Sequence, residues 1–137
     1  MTRLLSEIEE QPDSYPEVTG LSSAAEALAE VAWERIEAYT RCRFTPRRVL
    51  WIVEGPGAWV PPLEPAEMDE TEEWSRAGQW DEAEAVGAPL GVFLRSTGPW
   101  RFTATVGGGS PAPSVPVAVL EAVRRLAEYM AAEGKPG

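Results

Sequence analysis

Hydrophobic positions along the chain recur with two different periods. From Ser23 onward, Ala25, Leu28, Ala32, Ile36 and Tyr39 return at three- and four-residue steps, with Glu26, Glu30, Glu34 and Glu37 outward or flanking. That spacing predicts a long amphipathic helix. Ser23 and Glu26 stand at capping-box spacing, so each side chain can satisfy an orphan N–H of the first turn. Arg41 and Arg43 follow where cations offset the negative helix end, and Pro46 forbids continuation. A second stripe, Val119, Val123, Leu126 and Met130, widened by Leu120 and Ala127, predicts a helix over 115–132. Ser114 lies near its cap, Pro116 in its first turn and Gly134 past its end.

Period-two segments predict strands. Residues 47–54, RRVLWIVE, place Val49, Trp51 and Val53 on one face and Leu50 and Ile52 on the other. Gly55-Pro56-Gly57 then turns the chain into a short strand at 58–60, which Pro61 and Pro62 end. Over 100–106, Trp100, Phe102, Ala104 and Val106 alternate with Arg101, Thr103 and Thr105. Residues 92–95 pair with this segment in a hairpin through a turn at 96–99. Met68 to Trp74 reads as a strand or a helical turn, 78–89 as an exposed loop and 107–114, GGGSPAPS, as a connection. Leu4, Leu5 and Ile8, followed by Pro12, Asp13, Pro16 and Gly20, predict an arm or one short helix over 1–21. The expected fold class is α+β: long N-terminal and C-terminal helices form a small helical domain, packed with a short antiparallel β-sheet or hairpin, over 22–133. A tail, 134–137, follows.

Charge adds direction to this outline. The net charge is −10 without a histidine, which argues against a nucleic-acid backbone gripped by the whole surface. Residues 1–20 carry five acids against one arginine, and 54–84 carry ten against Arg76. Residues 41–48 hold Arg41, Arg43, Arg47 and Arg48 without an acid. Such bipolarity suits a chain that meets copies of itself or a charged partner, and a solvated surface gives the same pattern. The single cysteine, Cys42, excludes an internal disulfide and fits a reducing compartment. No run reaches the ~18 apolar residues a membrane span needs, and the first residues lack a signal-peptide core.

Candidate chemistry is thin. Glu64, Glu67, Asp69, Glu70, Glu72 and Glu73 are dense enough to suggest a hard cation, but their spacing matches no EF-hand loop, and a solvated acidic edge explains them better. Without histidine there is no Ser-His or Cys-His pair, so Cys42 between two arginines reads as structural. Gly107 to Gly109 lack the Gly-Lys-Ser or Gly-Lys-Thr of a phosphate loop. Trp33, Trp51 and Trp100 fit a core, whereas Trp59, Trp74 and Trp80 lie near turns, where aromatics anchor interfaces. The chain is read as no enzyme, with no cofactor or metal.

The order of these segments resembles the head-to-tail connector, or adaptor, family of long-tailed phages and phage-derived gene transfer agents. The matching features are a helix ending IEAYTRCRF, the strand RRVLWIVEGPG with WVPPLEP, the Trp74 to Trp80 middle, the strand WRFTATVGGG, and a last helix carrying Pro116, Val119, Ala122, Leu126, Ala127 and Tyr129. The likeness covers 22–132 and is closest to a gene transfer agent adaptor. It implies a structural subunit, about twelve copies of which ring the DNA channel beneath the portal. Its partners would be the portal, the stopper and tail proteins, and DNA that passes without sequence-specific binding; no membrane is involved. The particle would assemble in the bacterial cytoplasm and carry the subunit in its neck.

On this resemblance Tyr129, Met130, Glu133, Lys135 and Pro136 are expected at the portal, and Arg41, Arg43, Arg47 and Arg48 between subunits. Glu64, Glu67, Asp69, Glu70, Glu72 and Glu73 are expected along the channel or an acidic edge, and Trp59 and Trp80 in loops on the tail side. The competing reading is a small acidic interaction module that binds a partner strand or helix through exposed tryptophans.

Overall fold

Alternation of large apolar and polar residues fixes the centre of the structure. The computed structural model describes residues 1–108 and 113–134. Among them the order is β1 (Arg3–Glu9), α1 (Ser23–Glu26), α2 (Ala29–Thr40), β2 (Arg47–Glu54), β3 (Gly57–Trp59), β4 (Ala66–Trp74), β5 (Trp80–Glu82), β6 (Val86–Ala88), β7 (Gly91–Leu94), β8 (Trp100–Val106) and α3 (Val117–Glu133). The strands form two antiparallel sheets, one in the order β1-β2-β8-β4-β5 and one in the order β3-β7-β6. The inner faces of β2 and β8 bury Val49, Trp51, Val53, Trp100, Phe102, Ala104 and Val106. The small sheet closes over them, with Trp59 stacked on the Phe102 ring at 4.9 Å and edge-on to Trp51 at 5.4 Å. Leu63 and Leu94 complete this core.

This arrangement corrects the expected fold class. Among the described residues the protein is mostly β, two sheets of five and three strands with one long helix at the C-terminal side and no long N-terminal helix. The region expected to form that helix is divided at Ala27 and Leu28 into a single turn and a twelve-residue helix. The N-cap is Ser22, one residue before the expected Ser23. Its Oγ accepts from the Ala25 N–H at 3.2 Å and donates to Glu128 of α3 at 2.6 Å, so the cap also ties α1 to α3. The buried face of α2 is rotated as well: Ala32, Trp33 and Glu37 are inside, and Tyr39 is 88% exposed. Cross-helix packing around Trp33, Val123 and Ala127, joined by Tyr15 and Phe44, sets that rotation and forms a second core.

Other segments also depart from expectation. Residues 3–9 are an edge strand rather than a loose arm or a helix, and 80–82 and 86–88 are strands within the expected loop. Residues 66–74, left open between strand and helical turn, are the nine-residue β4. Irregular register explains why alternation was hard to read in both long cases. β1 shifts between Leu4 and Ser6, and β4 shifts between Met68 and Glu70, so inward and outward positions exchange part-way. The hairpin expected from 92–95 and 100–106 does not form: β7 and β8 lie in different sheets, linked by a crossing held by the Gly55 N–H on the Thr97 carbonyl. β2 and β8 match their expected spans, and α3 starts at Val117 with Pro116 as its N-cap. Of the glycine-rich connection, residues 109–112 lie outside the described residues.

Candidate functional site

Three surfaces and one buried cluster emerge from this frame. The cluster lies where β1, α2 and β2 converge. Arg47 is gripped by Glu37 through two bonds, Nη1 to Oε1 at 2.7 Å and Nη2 to Oε2 at 3.0 Å. Arg43 meets Glu9 in the same forked manner, Nε to Oε2 at 2.6 Å and Nη2 to Oε1 at 3.1 Å, and donates to the Glu37 carbonyl. A 3.4 Å contact from Arg47 to Glu9 links the two pairs, and the Tyr15 ring lies under the Arg47 guanidinium. Burial alone would raise the Glu9 carboxyl, but the bond and charge of Arg43, with those of Arg47, hold it below its ordinary value. Glu37, Arg43 and Arg47 are buried. Two arginines of the expected intersubunit corner are thus engaged within the chain. Arg41 and Arg48 are exposed: Arg41 reaches Glu7 and the Pro62 carbonyl, and Arg48 makes no ion pair among the described residues.

The first surface is the outer face of the five-stranded sheet. Register places Ile8, Leu50, Thr103 and Glu70 in one row, and Ser6, Ile52, Arg101, Glu72 and Glu82 in the next. One half of this face is therefore apolar and the other rich in carboxylates. Glu67 also points outward from β4, opposite Thr105, whose hydroxyl donates to Asp69 at 2.8 Å. Glu72 is paired with Arg101 at 2.8 Å. Glu73 faces the other way and accepts from the Ser96 hydroxyl, while Glu64 is exposed beside Cys42, where their residues form an isolated bridge. The six expected acids are thereby divided: Glu67, Asp69, Glu70 and Glu72 share a face, which Glu64 and Glu73 do not join. Trp74 and Trp80 form a cross-strand pair at one end of the same sheet, their rings 5.3 Å apart, with Arg101 over Trp80 at 4.6 Å.

The second surface is the small sheet. Residues 55–63 and 85–94 contain no charged side chain. Trp59, expected in a loop, is buried beneath this sheet, whereas Val60, Val86, Leu90 and Phe93 stand exposed on it. Sequence reading passed over these residues, although the absence of charge in a chain of net −10 was a visible signal. The third surface is the helical end, where Leu28, Val31, Arg35, Tyr129, Met130 and Glu133 border an open groove of about 750 Å³. It brings together Tyr129, Met130 and Glu133 of the expected portal contact; Lys135 and Pro136 lie outside the described residues.

Among the described residues no three cysteine, aspartate or glutamate side chains converge as metal ligands, and no helix is long and apolar enough to cross a membrane. Compared with protein-family models, curated proteins and solved structures, the chain finds no match.

Proposed function

We propose that the chain is a structural head-to-tail connector subunit, one of a ring of about twelve, joining a portal to a stopper and tail and extending the DNA channel. The observation that supports this most is the carboxylate half of the open sheet face, with Glu67, Asp69, Glu70, Glu72 and Glu82 side by side. Fixed negative charge along a channel wall repels a polyanion and keeps it from adhering as it moves. In this reading the groove at Tyr129, Met130 and Glu133 meets the portal, and the small sheet faces the tail. Arg48, exposed on β2, is the corner arginine left to reach an adjacent subunit.

Electron microscopy of the purified protein mixed with its cognate portal ring tests the proposal. The expected result is a collar of extra density with rotational symmetry on the narrow end of the portal. A bare portal, with the chain folded and monodisperse, refutes it. Neutralising Glu67, Asp69, Glu70 and Glu72 together should impair DNA passage and leave the collar intact. The competing reading, a module that takes a partner strand or helix, draws on Trp74, 43% exposed beside Trp80 on the open face. A bare portal together with capture of a peptide at these rings would favour it.

A further inference from the structure

Among the described residues, none before Tyr15 belongs to either apolar core. β1 is nonetheless held in the large sheet, as an edge strand whose neighbour is β2 alone. Leu4, Leu5 and Ile8 stay exposed on it, so docking covers little of its own apolar surface. Its hold comes instead from the backbone ladder and from polar side chains. At one end of the strand, Glu9 takes the fork of Arg43 and the 3.4 Å contact of Arg47. Glu7 accepts from the Trp51 Nε1–H at 2.7 Å and from Arg41. At the other end the Thr2 hydroxyl donates to the Ala58 carbonyl and Arg3 meets Glu54, both at the surface, where such links contribute little. Beyond Glu10 the backbone leaves the ladder: residues 11–14 make no hydrogen bond with the rest of the described chain, and Gln11 and Pro12 border a cavity of about 170 Å³. The chain is anchored again at Tyr15, whose ring stacks on Trp33, and at Pro16, whose carbonyl accepts the Trp33 indole N–H.

We propose that β1 is a releasable strap: residues 1–14 come away from β2 as one unit, pivoting before Tyr15, once Glu9 loses its charge, while both cores stay folded. The groups facing Glu9 set the sense of the response. Arg43, from the connection between α2 and β2, and Arg47 of β2 attract its charge. Glu34 and Glu37 of α2 and the adjacent Glu10 oppose it, and Tyr15, its hydroxyl raised by burial above the usual range, brings no charge. Against the raising effect of burial, the arginines hold the Glu9 carboxyl below its ordinary 4.5. The strap is therefore fastened above that range and opens as pH falls through the lower, folded value. A neutral Glu9 leaves Arg43 with the Glu37 and Cys42 carbonyls, and no core contact then keeps residues 1–14 in place. Segments without buried apolar contacts are where local opening needs the least free energy. While fastened, β1 covers the edge of β2, whose backbone groups otherwise stand unpaired. The charge on one carboxylate thus governs whether the sheet presents a paired or an open edge. This inference does not depend on the connector reading.

Amide hydrogen exchange of the full chain, read residue by residue by NMR and corrected for intrinsic rates, tests it. The expected result is one opening constant shared by the protected amides of β1 and by Glu10, about 100-fold or more above that of Phe102 and Ala104 in β8. Because the opening exposes little surface, low concentrations of urea should hardly change it, whereas the β8 constant should rise steadily. Glu9→Gln should raise the shared constant about 10-fold at pH ~6.5 and weaken its further rise toward pH ~3.5. Adding Glu7→Gln should raise it again, and Glu10→Gln, at an exposed neighbour, should leave it unchanged. Amides of β1 that open only with β8, constants graded inward from Met1 as in simple fraying, or a shared constant that ignores Glu9→Gln or responds equally to Glu10→Gln overturn the proposal. Should Glu9→Gln not fold, the wild type decides: a shared constant that does not rise between pH ~6.5 and ~3.5 overturns it as well.

Discussion

Replacing Glu37 by glutamine is the most searching test of how the helices are joined to the sheet. Glu37 is 2% exposed and supplies two of the acceptors for the Arg47 guanidinium, the only ones carried by a buried carboxylate among the described residues. Glutamine keeps the shape but offers one carbonyl and an amide, so one of the two bonds becomes a donor facing a donor. It also leaves Arg47, which bonds the Thr45 carbonyl and hydroxyl besides, with the 3.4 Å contact to Glu9 as its remaining carboxylate contact, and Glu9 is already gripped by Arg43. Each charge-assisted bond contributes roughly 1.5–3 kcal/mol, and breaking one partner of a buried pair costs about 3–5 kcal/mol. Against a total stability of about 5–15 kcal/mol that is a large fraction, and at about 4 °C per kcal/mol it lowers the melting temperature by about 12–20 °C. Urea unfolding followed by tryptophan fluorescence and by circular dichroism measures it. The double substitution Glu37→Leu with Arg47→Met removes both charges and leaves the Arg43–Glu9 pair balanced, so it should recover most of the loss. A single variant that loses less than about 1 kcal/mol, or a double variant as unstable as the single, refutes the reasoning.

Three further outcomes follow from the same geometry. The Glu9 carboxyl is held below its ordinary 4.5 in the folded chain, so its contribution is complete above that range and fades as pH falls through the folded value. Glu9→Gln should therefore lower the melting temperature at neutral pH and flatten its decline in acid; parallel melting curves against pH for both proteins would count against this. Trp59→Ala removes the ring stacked on Phe102 and should cost about 3–5 kcal/mol in urea, with Trp59→Phe intermediate. Ser22→Ala loses the side-chain cap of α1 and the hydroxyl bond to Glu128, while the backbone N–H bond to Glu128 at 3.2 Å stays, and should cost about 1 kcal/mol, mostly as faster amide exchange at Ala25.

The parts of the fold that alternate cleanly were legible in the chain itself. β2 and β8 bury every second residue, and α3 presents Val123 and Ala127 inward as its period requires. What escaped did so for identifiable reasons. β1 turns Glu7 and Glu9 toward the body, where the Trp51 Nε1–H and Arg43 bond them, and no hydrophobic pattern places two glutamates on the inner side of a strand. The acid run in β4 left strand and helical turn both open, because Glu67, Asp69, Glu70 and Glu72 take the solvent face while Glu73 turns inward, and the bulge breaks the period. Glu37 looked like an outward residue until Arg43 and Arg47, six and ten positions on, folded back over it. Of the candidate surfaces, the acid row was visible as composition, but which acids share a face depended on register. The small-sheet patch depended on bringing 55–63 and 85–94 together, which only tertiary structure does.

The two cores have no residue in common: one lies between the sheets, the other between the helices. Substitutions in one can accumulate and be repaired locally without repacking the other, provided Glu37 and Arg47 at their junction are kept or changed together. Such a chain is modular beneath a continuous fold: a lineage could exchange the helical end while the sheets stay as they are.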